Sequence, residues 1–299
     1  MTGAQDRQVV LVTGASSGIG AAVVQAYARR GAALVLLARS KGTLEQMRTE
    51  ALELGACAAL VTPADVSDAA AVDAAFAAAV ARFGRVDVVV HSAAVVAYGR
   101  LDEVPADVWN RVITVNVTGT ANVARSTLAH FASRAGTADG PDGGSLVVVG
   151  SVLGQATVPF MGSYVTSKWA VRGLTRVLQQ EARELPGVHV GIVNPGSIGT
   201  PIYDLAANYA GRVGRPPPPV YSPERVARTV LRVADRRDRA AGVSITNPVI
   251  RLGFTLVPRI YDAIVTPAMK VAGLRRQPIE PHTGNVFTPS EDVPPLPVP

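Results

Sequence analysis

The segment Thr13-Gly-Ala-Ser-Ser-Gly-Ile-Gly20 constrains this chain more than any other feature. An apolar run, Gln8–Thr13, leads into it, and an amphipathic stretch, Gly18–Arg30, follows. A strand, a glycine turn and a helix in that order bring backbone N–H groups and the positive end of a helix dipole to one point, where they favour a phosphate. Gly14, Gly18 and Gly20 let the backbone approach a pyrophosphate, and Ser16, Ser17 and Ile19 lie on the same turn. A tight turn between strand and helix with no ligand is the structural alternative.

The remainder repeats this alternation. Ala33–Ala38, Ala58–Thr62, Val86–His91, Ser145–Gly150 and Val188–Val193 read as strands. Helical periodicity runs over Thr43–Leu54, Ala69–Phe83, Ala106–Ser133 with a joint at Gly119, and Gly162–Leu185. Ser222-Pro223-Glu224 has the residues of a helix start: a cap, a proline in the first turn and an acid near the dipole. Continuous Val/Leu/Ile strands between helices imply an α/β fold, a Rossmann-type doubly wound parallel sheet covered on both faces. The 299 residues suffice for one such domain over 1–248, with a C-terminal extension, 249–299, made of a helix and then a Pro-rich tail from about Gln277. Thr137–Gly144 reads as an exposed, mobile loop.

Charge and cysteine content narrow the function. The net charge of +6 and pI of about 9.8 come from scattered arginines with no interleaved aromatics, so nucleic acid is not an expected partner. The polar N-terminus carries no signal-peptide pattern, and no apolar run reaches the roughly 18 residues of a membrane span, which points to the cytoplasm. Cys57 is the single cysteine, so no intrachain disulfide forms; a small buried hydrophobe is the expected role, and no metal site is expected.

Tyr164 and Lys168 carry the chemistry. Four residues is about one helical turn, so both side chains share a face. A phenol transfers protons poorly at neutral pH, and a nearby ammonium lowers its pKa. The chain has three lysines, Lys41, Lys168 and Lys270, which makes this pairing by chance improbable. Ser151, just past a strand end, can donate to a substrate oxygen. Asn116 can hold a water that links Lys168 to solvent. The second strand ends at Ala38-Arg39-Ser40 with no acid to accept from ribose hydroxyls, and Arg39 can pair with a 2′-phosphate. NADP(H) is therefore favoured, with NAD(H) open if Arg39 is a plain surface residue. Asp65, followed by Val66, is placed for the adenine amino group, or as a helix N-cap.

In this order the motifs resemble the short-chain dehydrogenase/reductase family over about Gln8 to Thr246. The resemblance implies a catalytic tetrad of Asn116, Ser151, Tyr164 and Lys168, with Lys168 also on the nicotinamide ribose. It implies that Pro195 and Gly196 form a turn, from which the backbone of Ile198 and the hydroxyl of Thr200 approach the carboxamide. Ser92 and Ala93 would line the cofactor cleft. Here the chain departs from the family, with His91-Ser92-Ala93-Ala94 in place of Asn-Asn-Ala-Gly. His91 can replace the hydrogen bond by which the first Asn braces neighbouring strands. A homodimer or homotetramer built through Ala121–Ser133 and Gly162–Leu185 is implied as well.

A lid at about 197–220 contains Tyr203, Leu205, Tyr209 and Pro216–Pro219. With Val95, Val96, Leu153, Val158 and Phe160 it predicts an apolar pocket for a hydrophobic ketone, aldehyde or secondary alcohol. In the extension, Leu256, Ile260, Ile264 and Val271 share a helical face that Pro258 and Pro267 interrupt. That face packs on the protein itself or a sister subunit, or attaches shallowly to a membrane. Asn285-Val-Phe-Thr288 has the pattern of a docking strand. The expected activity is NADP(H)-dependent hydride transfer between nicotinamide and a carbonyl or secondary alcohol. An NAD-linked alcohol dehydrogenase and a non-catalytic nucleotide-sensing scaffold are the alternatives.

Overall fold

A computed structural model describes residues 7–134 and 143–290. The chain alternates strand and helix through β1 (Val9–Thr13), α1 (Gly18–Ala28), β2 (Ala33–Ala38), α2 (Lys41–Glu53), β3 (Ala58–Pro63), α3 (Ala69–Phe83) and β4 (Val88–His91). A short β5 (Ala97–Tyr98) precedes α4 (Ala106–Ile113) and α5 (Gly119–Arg134), and then come β6 (Gly144–Val149), α6 (Gly162–Glu181) and β7 (Val188–Asn194). The later part contains β8 (Ala207–Asn208), β9 (Arg212–Gly214), α7 (Pro223–Arg236), β10 (Ala240–Gly242), α8 (Asn247–Leu256), α9 (Pro258–Ala268) and β11 (Leu274–Pro278).

Seven strands form one parallel sheet in the order β10-β7-β6-β4-β1-β2-β3. Side chains on a strand alternate faces, so two apolar layers form. Val10, Val12, Leu34 and Leu36 pack with Val23, Val24, Val226 and Val230 of α1 and α7. Leu11, Val35 and Leu37 pack with Val72, Phe76, Val123, Phe131 and Val171 on the other face. The order reverses between β1 and β4, which opens a crevice beyond their carboxyl ends, where such sheets bind ligands.

Several expectations shift in detail. Gly119 does not break the helix: α4 passes through a π turn, Thr114–Thr118, into α5, and a Cβ on Gly119 would lie 2.6 Å from a methyl of Val66. Ser222 stands at the N-cap of α7 but its side chain makes no capping bond; Pro223 and Glu224 open the helix as expected. Cys57 is exposed rather than buried, because it precedes β3, the edge strand, most of which is half-buried. Residues 137–142 of the expected mobile loop lie outside the described residues, whereas Gly144 belongs to β6. Among the described residues no helix is long and apolar enough to cross a membrane.

The extension folds back over the body. Pro258 ends α8 and starts α9 at its first turn, where its missing N–H costs nothing. The ring of Phe254 lies 6.0 Å from Trp169 and 5.5 Å from Tyr261, whose hydroxyl donates to the carbonyl of Thr157 at 2.8 Å. These contacts seat the α8–α9 hairpin above α6.

Candidate active site

The crevice holds two adjoining cavities. The first, about 160 Å³, is walled by the glycine turn (Gly14, Ser16, Ser17, Gly18, Ile19), the end of β2 (Arg39), the end of β3 (Asp65, Val66), the loop after β4 (Ser92, Ala93) and Thr200. Gly14 has φ of +66°, and a Cβ there would sit 2.8 Å from the amide nitrogen of Ala93. The turn and the loop after β4 thus touch backbone to backbone, which a side chain would prevent. Gly20 lies beneath the turn, where a Cβ would strike the carbonyl of Gly14, so it permits the bend rather than lining the cleft. Ser17 caps α1 without a side-chain bond. Donors at a helix start, a glycine cradle and an adjacent arginine fit a pyrophosphate-linked dinucleotide.

Asp65 is tied down by its neighbours. One carboxylate oxygen accepts from the backbone and hydroxyl of Ser67 at 2.9 and 2.7 Å, and the other pairs with Arg111. Burial opposes its ionisation, but the bonds from Ser67 and the charge of Arg111 prevail and hold its pKa below the ordinary value. The alternative role as a cap falls to Asp68, which accepts from Ala71 N at 3.1 Å and starts α3.

The second cavity, about 510 Å³, opens from Ser151 and Tyr164. Its walls are mostly apolar: Val96, Leu153, Val158, Met161, Ile202 and Pro217–Pro219. The α8–α9 hairpin supplies the roof through Val249, Val257, Ile260, Tyr261 and Ile264. Ile260 and Ile264, two residues of the apolar stripe read from the sequence, therefore face the cavity. Of the other pocket residues expected, Val95 and Leu205 wall the first cavity, while Phe160 and Tyr209 line neither. Gly196 lines the second cavity, Pro195 accepts from Val152 N at 2.8 Å, and buried Ile198 bridges to Tyr221. Ile202 belongs to both cavities and marks where they meet.

Tyr164 and Lys168 share one face of α6, with the ammonium 5.5 Å from the phenol ring centre. Lys168 is buried, donates to Val149 O at 3.1 Å, and burial lowers its pKa to about 8. The expected lowering of the Tyr164 pKa does not appear in the protein alone. Burial raises it, the nearby Tyr203 adds to this, and a hydrogen bond with Ser151 opposes it. The reason is desolvation: both groups have left water, and an ammonium over the ring does not offset that loss. Tyr203, itself pushed up to about 12 by burial, and the buried Tyr98 converge on the same cavity. The sequence predicts Tyr203 in the lid of an apolar pocket and carries no signal for Tyr98.

Asn116 sits in the π turn. Its side chain accepts from Val95 N and donates to Val95 O and Ser167 Oγ, each at 2.9 Å. Ser167 in turn donates to Tyr164 O at 2.7 Å. Asn116 thus locks the strand-end loop, the π turn and α6 together. His91 joins the same brace. Thr120 Oγ1 donates to Asn116 O at 2.6 Å, so it accepts from His91 Nε2 at 3.0 Å. That fixes the tautomer: Nδ1 accepts from Thr13 Oγ1 at 2.9 Å, while Thr13 Oγ1 accepts from Ser92 N and Ala93 N. Burial, and then the charge of Lys168, lower the His91 pKa to about 3, and the ring is neutral.

The comparisons with known proteins agree with this geometry. Residues 8–208 match the short chain dehydrogenase family. The human dehydrogenase/reductase SDR family member 7 is 33% identical over 211 residues, which is 69% of this chain and 60% of that protein. The 3beta-hydroxysteroid dehydrogenase 1 of Eggerthella lenta is 33% identical over 258 residues, 84% of this chain and 95% of that protein. Among solved structures, an alcohol dehydrogenase from the archaeon Thermococcus sibiricus, complexed with 5-hydroxy-NADP, superposes with a TM-score of 0.65 at 30% identity, covering 79% of this chain and 95% of that one. The chain belongs to the short-chain dehydrogenase family and is an NAD(P)-dependent oxidoreductase acting between CH–OH and C=O groups.

Proposed function

We propose that the protein is an NADP(H)-dependent reductase of bulky, apolar ketones or aldehydes, running in reverse on the corresponding alcohols. The observation that carries this reading is the 510 Å³ apolar cavity that ends on Ser151 and Tyr164. The bound dinucleotide supplies or takes the hydride. Gly14, Ser16, Ser17, Gly18 and Ile19 would cradle its pyrophosphate, Arg39 would pair with a 2′-phosphate, and Asp65, held by Ser67 and Arg111, would lie at the adenine end. Ser151 holds the substrate oxygen and Tyr164 gives it a proton. Lys168 stabilises the resulting phenolate, and Asn116 keeps α6 in register with the cleft. Support for NADP(H) comes from Arg39 and the absence of an acid at the end of β2, and from the NADP derivative in the archaeal relative. Support for a large, apolar substrate comes from the cavity and from the relative named for a steroid. Assembly as a dimer or tetramer through α5 and α6 is part of this reading, and light scattering tests it.

The test is NADPH consumption with aliphatic aldehydes, cyclic ketones and steroid-like ketones, with Tyr164→Phe beside it. Turnover that favours the large ketones and disappears in the variant is expected. Turnover restricted to small polar aldehydes would refute the substrate class, and activity retained by the variant would refute the mechanism.

A further inference from the structure

Residues 279–290 leave β11 and run without regular structure across the adenosine end of the cofactor cleft. His282 exchanges two main-chain bonds with Asn208, at 2.9 and 3.0 Å, and Asn285 N donates to Leu205 O at 2.9 Å. Gly284 adopts φ of +51°, and a Cβ there would collide with the backbone of Leu205 and Ala206. Val286 is fully buried within the apolar layer of α3 and α5. This is a seated strap, not a loose end.

The strap ends on two arginines. Asn285 O accepts from Arg39 Nη2 at 2.5 Å, and Val286 O and Phe287 O accept from Nη1 at 3.3 Å. Val286 O also accepts from Arg111 Nε at 3.3 Å, while the other nitrogens of Arg111 hold Asp65 and Ser67. Asn285, Pro289 and Ser290 wall the same cavity as Gly14 and Arg39. The carbonyls orient the guanidinium groups without cancelling their charge. Two arginines against Asp65 leave the cluster one positive charge in excess, which a 2′-phosphate offsets and a ribose hydroxyl does not.

We propose that this C-terminal strap is a working part of the cofactor site. It fixes Arg39 for the 2′-phosphate of a dinucleotide, ties Arg111 and through it Asp65 to the same wall, and covers the adenosine end with Asn285, Pro289 and Ser290, so that dissociation is slow while the strap stays seated. The proposal rests on the reading of the cleft as a dinucleotide site and adds Arg111, Gly284 and Val286 to its determinants.

Stopped-flow fluorescence of NADPH and NADH release from the full-length protein tests it, with Gly284→Val and Val286→Asn as variants and circular dichroism confirming that each is folded. Losing the seat of one valine is worth roughly tenfold in an equilibrium. Release of NADPH therefore speeds up about tenfold in either variant, and release of NADH less. An NADPH release rate within twofold of wild type in the folded variants would overturn the strap while leaving the cofactor reading intact. If wild type binds neither dinucleotide, both fall. Hydrogen exchange on wild type serves if the variants do not fold: the amides of His282, Asn285 and Val286 exchange more slowly with NADPH bound, and unchanged exchange overturns the proposal.

Discussion

The two ends of the crevice are built differently. At the cofactor end, most walls are turns that directly follow β1, β2, β3 and β4, and the space is about 160 Å³. At the substrate end, the 510 Å³ cavity is assembled from segments drawn from residues 96 to 272, and its roof is a helical hairpin outside the sheet. On the proposed function, the first end would fix a dinucleotide by backbone approach, and the second would set selectivity by side-chain volume. Changes at the first should therefore act as switches, and changes at the second should act in degrees.

The largest effect is expected at the inner end of the substrate cavity, where Ser151 and Tyr164 lie. Tyr164→Phe lowers kcat by about 10²–10⁴-fold while NADPH affinity stays within twofold, because only the transferred proton is lost. Equal losses in kcat and binding would show that the ends are not separable. Gly14→Val at the cofactor end abolishes dinucleotide binding in fluorescence titration, since a side chain cannot fit against Ala93 at φ of +66°. Binding retained there would mean that the turn is not the cradle.

At the substrate end, Ile264→Ala enlarges the cavity and raises KM for bulky ketones by about tenfold, with small aldehydes little changed. A uniform change would deny the hairpin its role in selectivity. The pH profile falls between the two. The Lys168 ammonium is lost as pH rises through about 8, so the rate of carbonyl reduction declines above that value. A plateau to pH 10 would contradict this.

The smallest effect concerns stability. His91 is neutral when folded, with a pKa near 3, and ionises near 6.5 when unfolded. Between these values the unfolded chain binds the extra proton, so stability rises with pH and is lost as pH falls from about 6.5 towards 3. His91→Asn should flatten the decline in Tm between pH 6.5 and pH 4. An identical decline would assign the acid sensitivity to other groups.

Legibility in the sequence follows the same division. The glycine turn, Tyr164 with Lys168, and the strand that ends at Arg39 are local, and their spacing dictates their geometry. The inner strands of the parallel sheet were legible for the same reason, each a run of Val, Leu and Ile, whereas the edge strand β10, Ala240–Gly242, carries no such residue and left no signal. The partners of Arg39 were not legible, because they lie 246 to 248 residues away and their register depends on where Val286 is buried. Arg111 reaches back 46 residues to Asp65. The roofing role of Ile260 and Ile264 was hidden because periodicity gives a shared face but not what that face meets. The raised pKa of Tyr164 depends on burial, which no spacing records.

The contact between Arg39 and Asn285 also orders events in time. Arg39 leaves the ribosome 246 residues before its carbonyl partner exists. At about 5–20 residues per second, that interval is roughly 12 to 50 s. Until then the side of the cleft that the chain's later residues cover stands open, and α1 still waits for its apolar partners Val226 and Val230 of α7.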